Sequence, residues 1–184
     1  ISTRKAIQLN PNFANAYSNL GNILRDLGEL KEAEISTRKA IELNPNFANA
    51  HSNLGNILRD MGELKEAEIS TRKAIELNPN YANAYTNLGN ILRDLGKLKE
   101  AEISTRKAIQ LNPNFANAYA NLGNILRDLA KLKEAGTAYR KAIELKPDLI
   151  DAYYNLGITL EELGERKEAI KQYSFALGYQ SDNI

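Results

Sequence analysis

The chain is predicted to be all-α, folded as an α-solenoid, and three observations predict this. The run from Ala14 to Gly28 returns almost unchanged from Ala48, Ala82 and Ala116, and in degraded form from Ile150, a period of 34 residues. Self-similarity at that spacing marks a stack of helical units. Inside each unit the apolar residues recur at helical spacing in two successive blocks. Glycine and proline punctuate those blocks at Gly28 and Pro45, positions suited to helix ends. In such an array each unit buries its apolar side only against its neighbours, so function belongs to the surface the stack presents. The chain divides on this period into a half repeat at 1–13 with a second helix only, repeats at 14–47, 48–81, 82–115 and 116–149, and a divergent repeat at 150–183, read as one solenoid domain.

One unit, 14–47, justifies the elements in order. Ala16, Tyr17, Leu20, Ile23, Leu24 and Leu27 fall on one side of a first helix. Asn15, Asn19, Asn22 and Asp26 share the other side, with Ser18 and Arg25 along its edge, so the polar face is rich in amides. Gly28 closes this helix as a left-handed residue does at a C-terminus. A second helix is expected from Leu30 to Leu43, with Ala33, Ala40, Ile41 and Leu43 inward and Ile35 and Thr37 flanking. Asn44-Pro45 ends it, because the proline ring disfavours helical geometry in the residue before it. Asn46 is expected to cap the next first helix. Glu34–Arg38, Glu68–Arg72 and Glu102–Arg106 stand four apart with the acid first, the favourable order, on what reads as a solvated charged face. Gly21 returns as Gly55, Gly89, Gly123 and Gly157, beside the small residues Ala33, Ala40, Ala67 and Ala74. Mid-helix glycine costs about 1 kcal/mol against alanine, so its return argues for close backbone approach between helices.

Composition narrows the function classes. The 24 Lys and Arg balance the 23 Asp and Glu to a net charge of +1, which supplies no global field for nucleic acid or an anionic membrane. Cysteine is absent, and the one histidine, His51, takes the place filled by Tyr17, Tyr85 and Tyr119, which reads as half-buried packing. Neither a nucleophile–base pair nor an imidazole metal site can be assembled from these residues. The expectation is a non-enzyme with no cofactor and no metal, and an intracellular, cytoplasmic location. No apolar run reaches membrane-spanning length.

The unit resembles the tetratricopeptide repeat: Tyr17 four residues in, Leu20-Gly21, Gly28 in the turn, Ala33 and Ala40, and Pro45 closing. The resemblance covers essentially the whole chain. It implies antiparallel helix pairs stacked into a right-handed superhelix whose first helices line a concave groove that binds peptides or extended segments. The chain departs from the family pattern at Thr37, Thr71 and Thr105, where a large aromatic is usual and only Tyr139 and Tyr173 restore it. Less bulk is expected at those interfaces. Ala130 replaces the turn glycine, so that turn is expected to be strained or remodelled by a longer preceding helix.

The candidate binding residues are Asn15, Asn19 and Asn22 with their copies Asn49, Asn53 and Asn56, Asn83, Asn87 and Asn90, Asn117, Asn121 and Asn124, and Asn155 in the divergent repeat. An asparagine side chain offers one carbonyl and two amide hydrogens, the same groups as a peptide backbone unit. A regular amide ladder would hold an extended chain by its main chain. Asn19, Asn53, Asn87, Asn121 and Asn155 are similar in position to the asparagine ladder in the tetratricopeptide domain of O-GlcNAc transferase. The other reading is that copying of the repeat multiplied these residues without a ligand. Arg25-Asp26 and its copies Arg59-Asp60, Arg93-Asp94 and Arg127-Asp128 are read as a lattice between repeats in preference to ligand contacts. A chaperone carboxylate clamp is disfavoured, because Asn15, Asn49 and Asn53 stand where that subfamily needs cations.

The function expected is a non-catalytic scaffold for a protein or peptide, with no nucleic acid and no membrane. The alternatives are the substrate-recognition arm of a larger enzyme such as a glycosyltransferase, and a structural, self-assembling module. The exposed apolar positions Ile7 and Leu9 with Ala6, and Phe175, Leu177 and Tyr179, suggest longer flanking sequence or end-to-end contact between molecules.

Overall fold

Two strings of apolar residues per repeat, each broken by a turn signal, fold as two helices per repeat. The computed structural model describes residues 3–178 and forms eleven helices and no strand among them. They are α1 (Thr3–Leu9), α2 (Ala14–Asp26), α3 (Leu30–Leu43), α4 (Ala48–Asp60), α5 (Leu64–Leu77), α6 (Ala82–Asp94), α7 (Leu98–Leu111), α8 (Ala116–Asp128), α9 (Leu132–Leu145), α10 (Ile150–Glu162) and α11 (Arg166–Ala176). Within each unit consecutive helices pack on one another. Ile1 and Tyr179 lie outside the described residues, and so does the side chain of Ala6.

The chain forms two compact units, Ile1–Leu95 and Gly96–Ile184. In the first, α2 packs on α3, α4 on α5, and the first helices α2, α4 and α6 touch in succession. Leu24, Ala33 and Ile57 form one buried cluster there, and Leu54, Leu58, Ala67 and Ile91 another. Each cluster joins side chains of adjacent repeats, which is how an array builds a core without closing on itself. In the second unit, α8 packs on α9, α10 on α11, and α8 touches α10. Its core gathers Leu122, Leu126, Tyr139, Leu156 and Leu160.

Packing changes several expectations. Thr37 and Thr71 are not flanking: both are fully buried, and each hydroxyl presses on the opposing first helix at Gly21 or Gly55. A Cβ on either glycine would overlap that oxygen, which explains the small residue. Neither Thr37 Oγ1 nor Thr71 Oγ1 has a hydrogen-bond partner. Ile23 and Leu27, expected inside, are exposed, whereas Ile57 is buried against Leu24 and Ala33 of the preceding repeat. Ile23 has only α1 ahead of it. Ser18, expected at an edge, is 2% exposed.

Two local expectations about turns also resolve. Asn46 does not cap α4; the helix starts after Phe47 with no side-chain cap. Asn44 acts instead, its Oδ1 accepting the Asn46 backbone N–H at 3.2 Å across Pro45. The extended geometry that proline imposes on Asn44 aims its side chain forward over the turn. At Ala130 the left-handed conformation is kept, with φ 57°, and α8 is no longer than its counterparts. Ala130 and Lys131 donate to Arg127 O and Leu126 O, both at 2.8 Å, matching the turn at Gly28. The turn is therefore regular and not remodelled, which counts against the expectation; the left-handed alanine itself costs on the order of 1 kcal/mol.

Candidate functional site

The amide face is assembled by contacts between successive first helices. In the first unit Asn53 Nδ2 donates to Ser18 Oγ at 3.0 Å, and Asn87 Nδ2 donates to Ser52 Oγ at 3.0 Å. These bonds run from one repeat to the one before it and tie Asn53 to α2 and Asn87 to α4, whereas Asn19 makes neither bond and is exposed. Ser18 and Ser52 are buried beneath the row. Asn53 and Asn87 are half-buried, while Asn15, Asn49 and Asn83 at the helix starts are exposed. Asn22, Asn56 and Asn90 are half-buried one turn further along.

Tyr81 stands immediately ahead of α6. Burial pushes its phenol above the usual tyrosine range, and hydrogen bonds with Ser52 and Asn83 oppose that rise. Phe13, Phe47 and Phe115 take this place in other repeats and lack the hydroxyl. The sequence reading missed both the serines and Tyr81. The one visible signal was tyrosine at a place held by phenylalanine at Phe13, Phe47 and Phe115 and by leucine at Leu149.

Below the amide row runs a charge lattice. Arg25 Nε meets Asp60 Oδ2 at 2.5 Å, and Arg59 Nε meets Asp94 Oδ2 at 2.5 Å. The arginine of one repeat faces the aspartate of the next, as the lattice reading requires. Each pair is about one-third exposed, which limits it to roughly 0.2–1 kcal/mol.

The second unit treats the same positions differently. Asn124 Oδ1 accepts the Tyr139 hydroxyl at 2.6 Å, which commits it to the interior of its own repeat. Ala120 replaces the serine that would tether Asn155. Asn155 Oδ1 instead faces Arg127 Nη1 at 3.5 Å. Asn117 is exposed and Asn121 half-buried.

A further feature lies on the second-helix side. A cleft of about 510 Å³ in the first unit is lined by Arg38, Ile41, His51, Leu54, Glu66 and Ile69. The second unit has one of about 420 Å³ at the matching residues, including Arg106, Tyr119, Leu122 and Glu134. Arg38–Glu66 at 2.8 Å and Arg106–Glu134 at 3.2 Å bridge their rims. His51 is half-buried there, its Nε2 2.9 Å from Pro45 O. Glu34 is 7% exposed and not simply solvated: hydrogen bonds from Lys31 and then Arg38 hold its carboxyl below the usual range.

Among the described residues no group of three or more His, Cys, Asp and Glu is placed to hold a metal ion, and no helix is long and apolar enough to cross a membrane. The family description "Tetratricopeptide repeat" matches residues 14–47, 48–81 and 82–115, and again 105–137 and 150–183; "TPR repeat" matches 123–164. Among solved structures, YrrB, described as a TPR protein with an unusual peptide-binding site, is 30% identical over 100% of this chain and 94% of its own, with a TM-score of 0.67. A MamA structure is 31% identical over 86% of this chain and 93% of its own, with a TM-score of 0.73. PilF of Pseudomonas aeruginosa is 25% identical over 92% of this chain and 78% of its own, with a TM-score of 0.83. No curated protein matches the sequence.

Proposed function

This chain belongs to the tetratricopeptide repeat family, whose members mediate protein–protein interaction, and from that premise we propose that it is a non-catalytic scaffold holding an extended peptide on its first-helix face. The row of Asn53 and Asn87, each tied to a buried serine of the preceding repeat, carries this reading. Each of these carboxamides spends one N–H on serine and keeps a carbonyl and a second N–H to offer. Those are the groups a peptide backbone pairs with, whatever its side chains. A net hydrogen bond contributes about 0.5–1.5 kcal/mol, so useful affinity needs several rungs. The peptide-binding site ascribed to YrrB supports the same reading. The near balance of charge, with arginines already paired to aspartates, favours a protein ligand over nucleic acid.

The test is fluorescence anisotropy with a labelled, uncharged twelve-residue peptide of Ala, Ser, Thr and Pro. Asn53→Ala with Asn87→Ala is expected to weaken binding by about tenfold or more, the loss of two such rungs. Unchanged binding with a native circular dichroism spectrum removes the amide row from the site.

A further inference from the structure

We propose that the side of α10 turned away from α8 is a binding site for a cationic side chain, an arginine of a partner segment, received by Tyr154, Tyr173 and Glu161. The site goes beyond the groove reading and uses none of its carboxamides. In the first unit, the side of a first helix that meets its successor carries a hydroxyl and a cation. Ser18 accepts from Asn53 and Arg25 meets Asp60; Ser52 and Arg59 repeat this toward Asn87 and Asp94. On α10 the same two places of the repeat hold Tyr154 and Glu161. The tether has become an aromatic ring, and the cation has become an anion. Another copy of the repeat, bringing an asparagine and an aspartate, would meet bulk at the first place and like charge at the second. A cation meets neither obstacle.

The geometry is that of a prepared row. Tyr154 and Glu161 stand seven residues apart on α10, two turns along one stripe. Tyr173 of α11 lies across the stripe between them. Its ring centroid is 5.8 Å from that of Tyr154, with 49° between the planes, and its hydroxyl donates to Glu161 Oε2 at 3.0 Å. The Tyr173 ring is seated on Gly157, where a Cβ would overlap it. Tyr154 is 55% exposed, Glu161 is exposed and Tyr173 is half-buried. Among the described residues no lysine or arginine bridges Glu161. Burial first, then the hydrogen bond to Glu161, push the Tyr173 phenol above the usual tyrosine range.

Two tilted rings and a carboxylate match a guanidinium, which stacks on aromatic faces and donates in its own plane to a carboxylate. The carboxylate is already held by the Tyr173 hydroxyl, so little ordering is left for the ligand to impose. The ligand class is therefore a peptide segment that presents an arginine.

The test is an NMR titration with N-acetyl-arginine N-methylamide, read at the tyrosine ring signals, against the citrulline analogue, which has the same shape and no charge. The parent is expected to show saturable shifts at Tyr154 and Tyr173, with the citrulline analogue about fivefold weaker or more. Tyr154→Ser installs the residue found at Ser18 and is expected to weaken binding about threefold, read at Tyr173; Tyr154→Phe keeps the ring and most of the affinity. Glu161→Gln, which can still accept from Tyr173, is expected to weaken binding about threefold, and Glu161→Arg, the residue found at Arg25, to abolish saturation. Raising salt weakens the arginine probe and leaves the citrulline analogue unchanged. Glu32→Gln on α3 binds as the parent does. An equal response to the two analogues overturns the site. So does parent-like binding by both Tyr154→Ser and Glu161→Gln with a native circular dichroism spectrum. The groove reading stands in either case, because no asparagine of its row is changed.

Discussion

The threonine repeats and the tyrosine repeats solve the same packing problem with different side chains. In the first, Thr37 and Thr71 press on Gly21 and Gly55; in the second, Tyr139 and Tyr173 press their rings on Gly123 and Gly157. A Cβ on any of these four glycines would overlap the opposing side chain. The difference lies in the polar atom. Tyr139 reaches past the interface and donates to Asn124 at 2.6 Å, and Tyr173 donates to Glu161 at 3.0 Å. Threonine is too short to reach out, so its hydroxyl is sealed in without a partner. A buried unpartnered hydroxyl costs about 1–3 kcal/mol. The threonine repeats therefore carry an unfavourable group that the tyrosine repeats avoid, while leaving Asn22 and Asn56 uncommitted to an intra-repeat tyrosine.

The sharpest way to break the comparison is Tyr139→Thr, which imports the threonine solution into a tyrosine repeat. Tyr139 is fully buried at the centre of its core, so the loss is expected at about 3–5 kcal/mol, read as a drop in urea midpoint. A loss under 1 kcal/mol would mean that the helices close up around threonine and that the two kinds of repeat differ less than their side chains do. Thr71→Val sharpens the contrast in the other direction. It keeps the β-branched shape and removes the orphaned oxygen, and about 1 kcal/mol of added stability is expected by thermal unfolding.

The smallest effect concerns acid. Glu34, gripped by Lys31 and Arg38 of its own helix, and Glu102, gripped by Lys131 of the next repeat and by Arg106, both have carboxyls held below the usual range. Because the folded value is depressed, the stabilisation is present above the ordinary carboxylate pKa, near about 4.3, and is lost as pH falls through the folded value. Glu34→Gln is expected to lower stability at neutral pH and flatten its decline below that point. An acid-unfolding curve with an unchanged slope would show that Glu34 does not contribute to it.

Much of this molecule is legible from residue spacing. The period, the two helices per repeat, Gly28 and Pro45 as stops, and the Arg25–Asp60 lattice all follow from sequence, because each depends on neighbours at a fixed separation in an array. The candidate face was legible as a stripe of amides but not as a bonded row. Ser18 and Ser52 look like edge residues on an isolated helix, and only the arrival of the next first helix buries them.

What the sequence alone determines is the local alphabet: which residues turn, which face inward on one helix, and how often the unit recurs. These are set within about four residues of chain, where helical periodicity operates. Tertiary structure decides which polar atoms end up beneath another helix, and therefore which are tethered, orphaned or left to meet a ligand. Asn53 bound to Ser18 and Thr71 bound to nothing are both polar residues of the same repeat. Their fates diverge because burial is conferred by the neighbouring helix, whose approach no single repeat encodes.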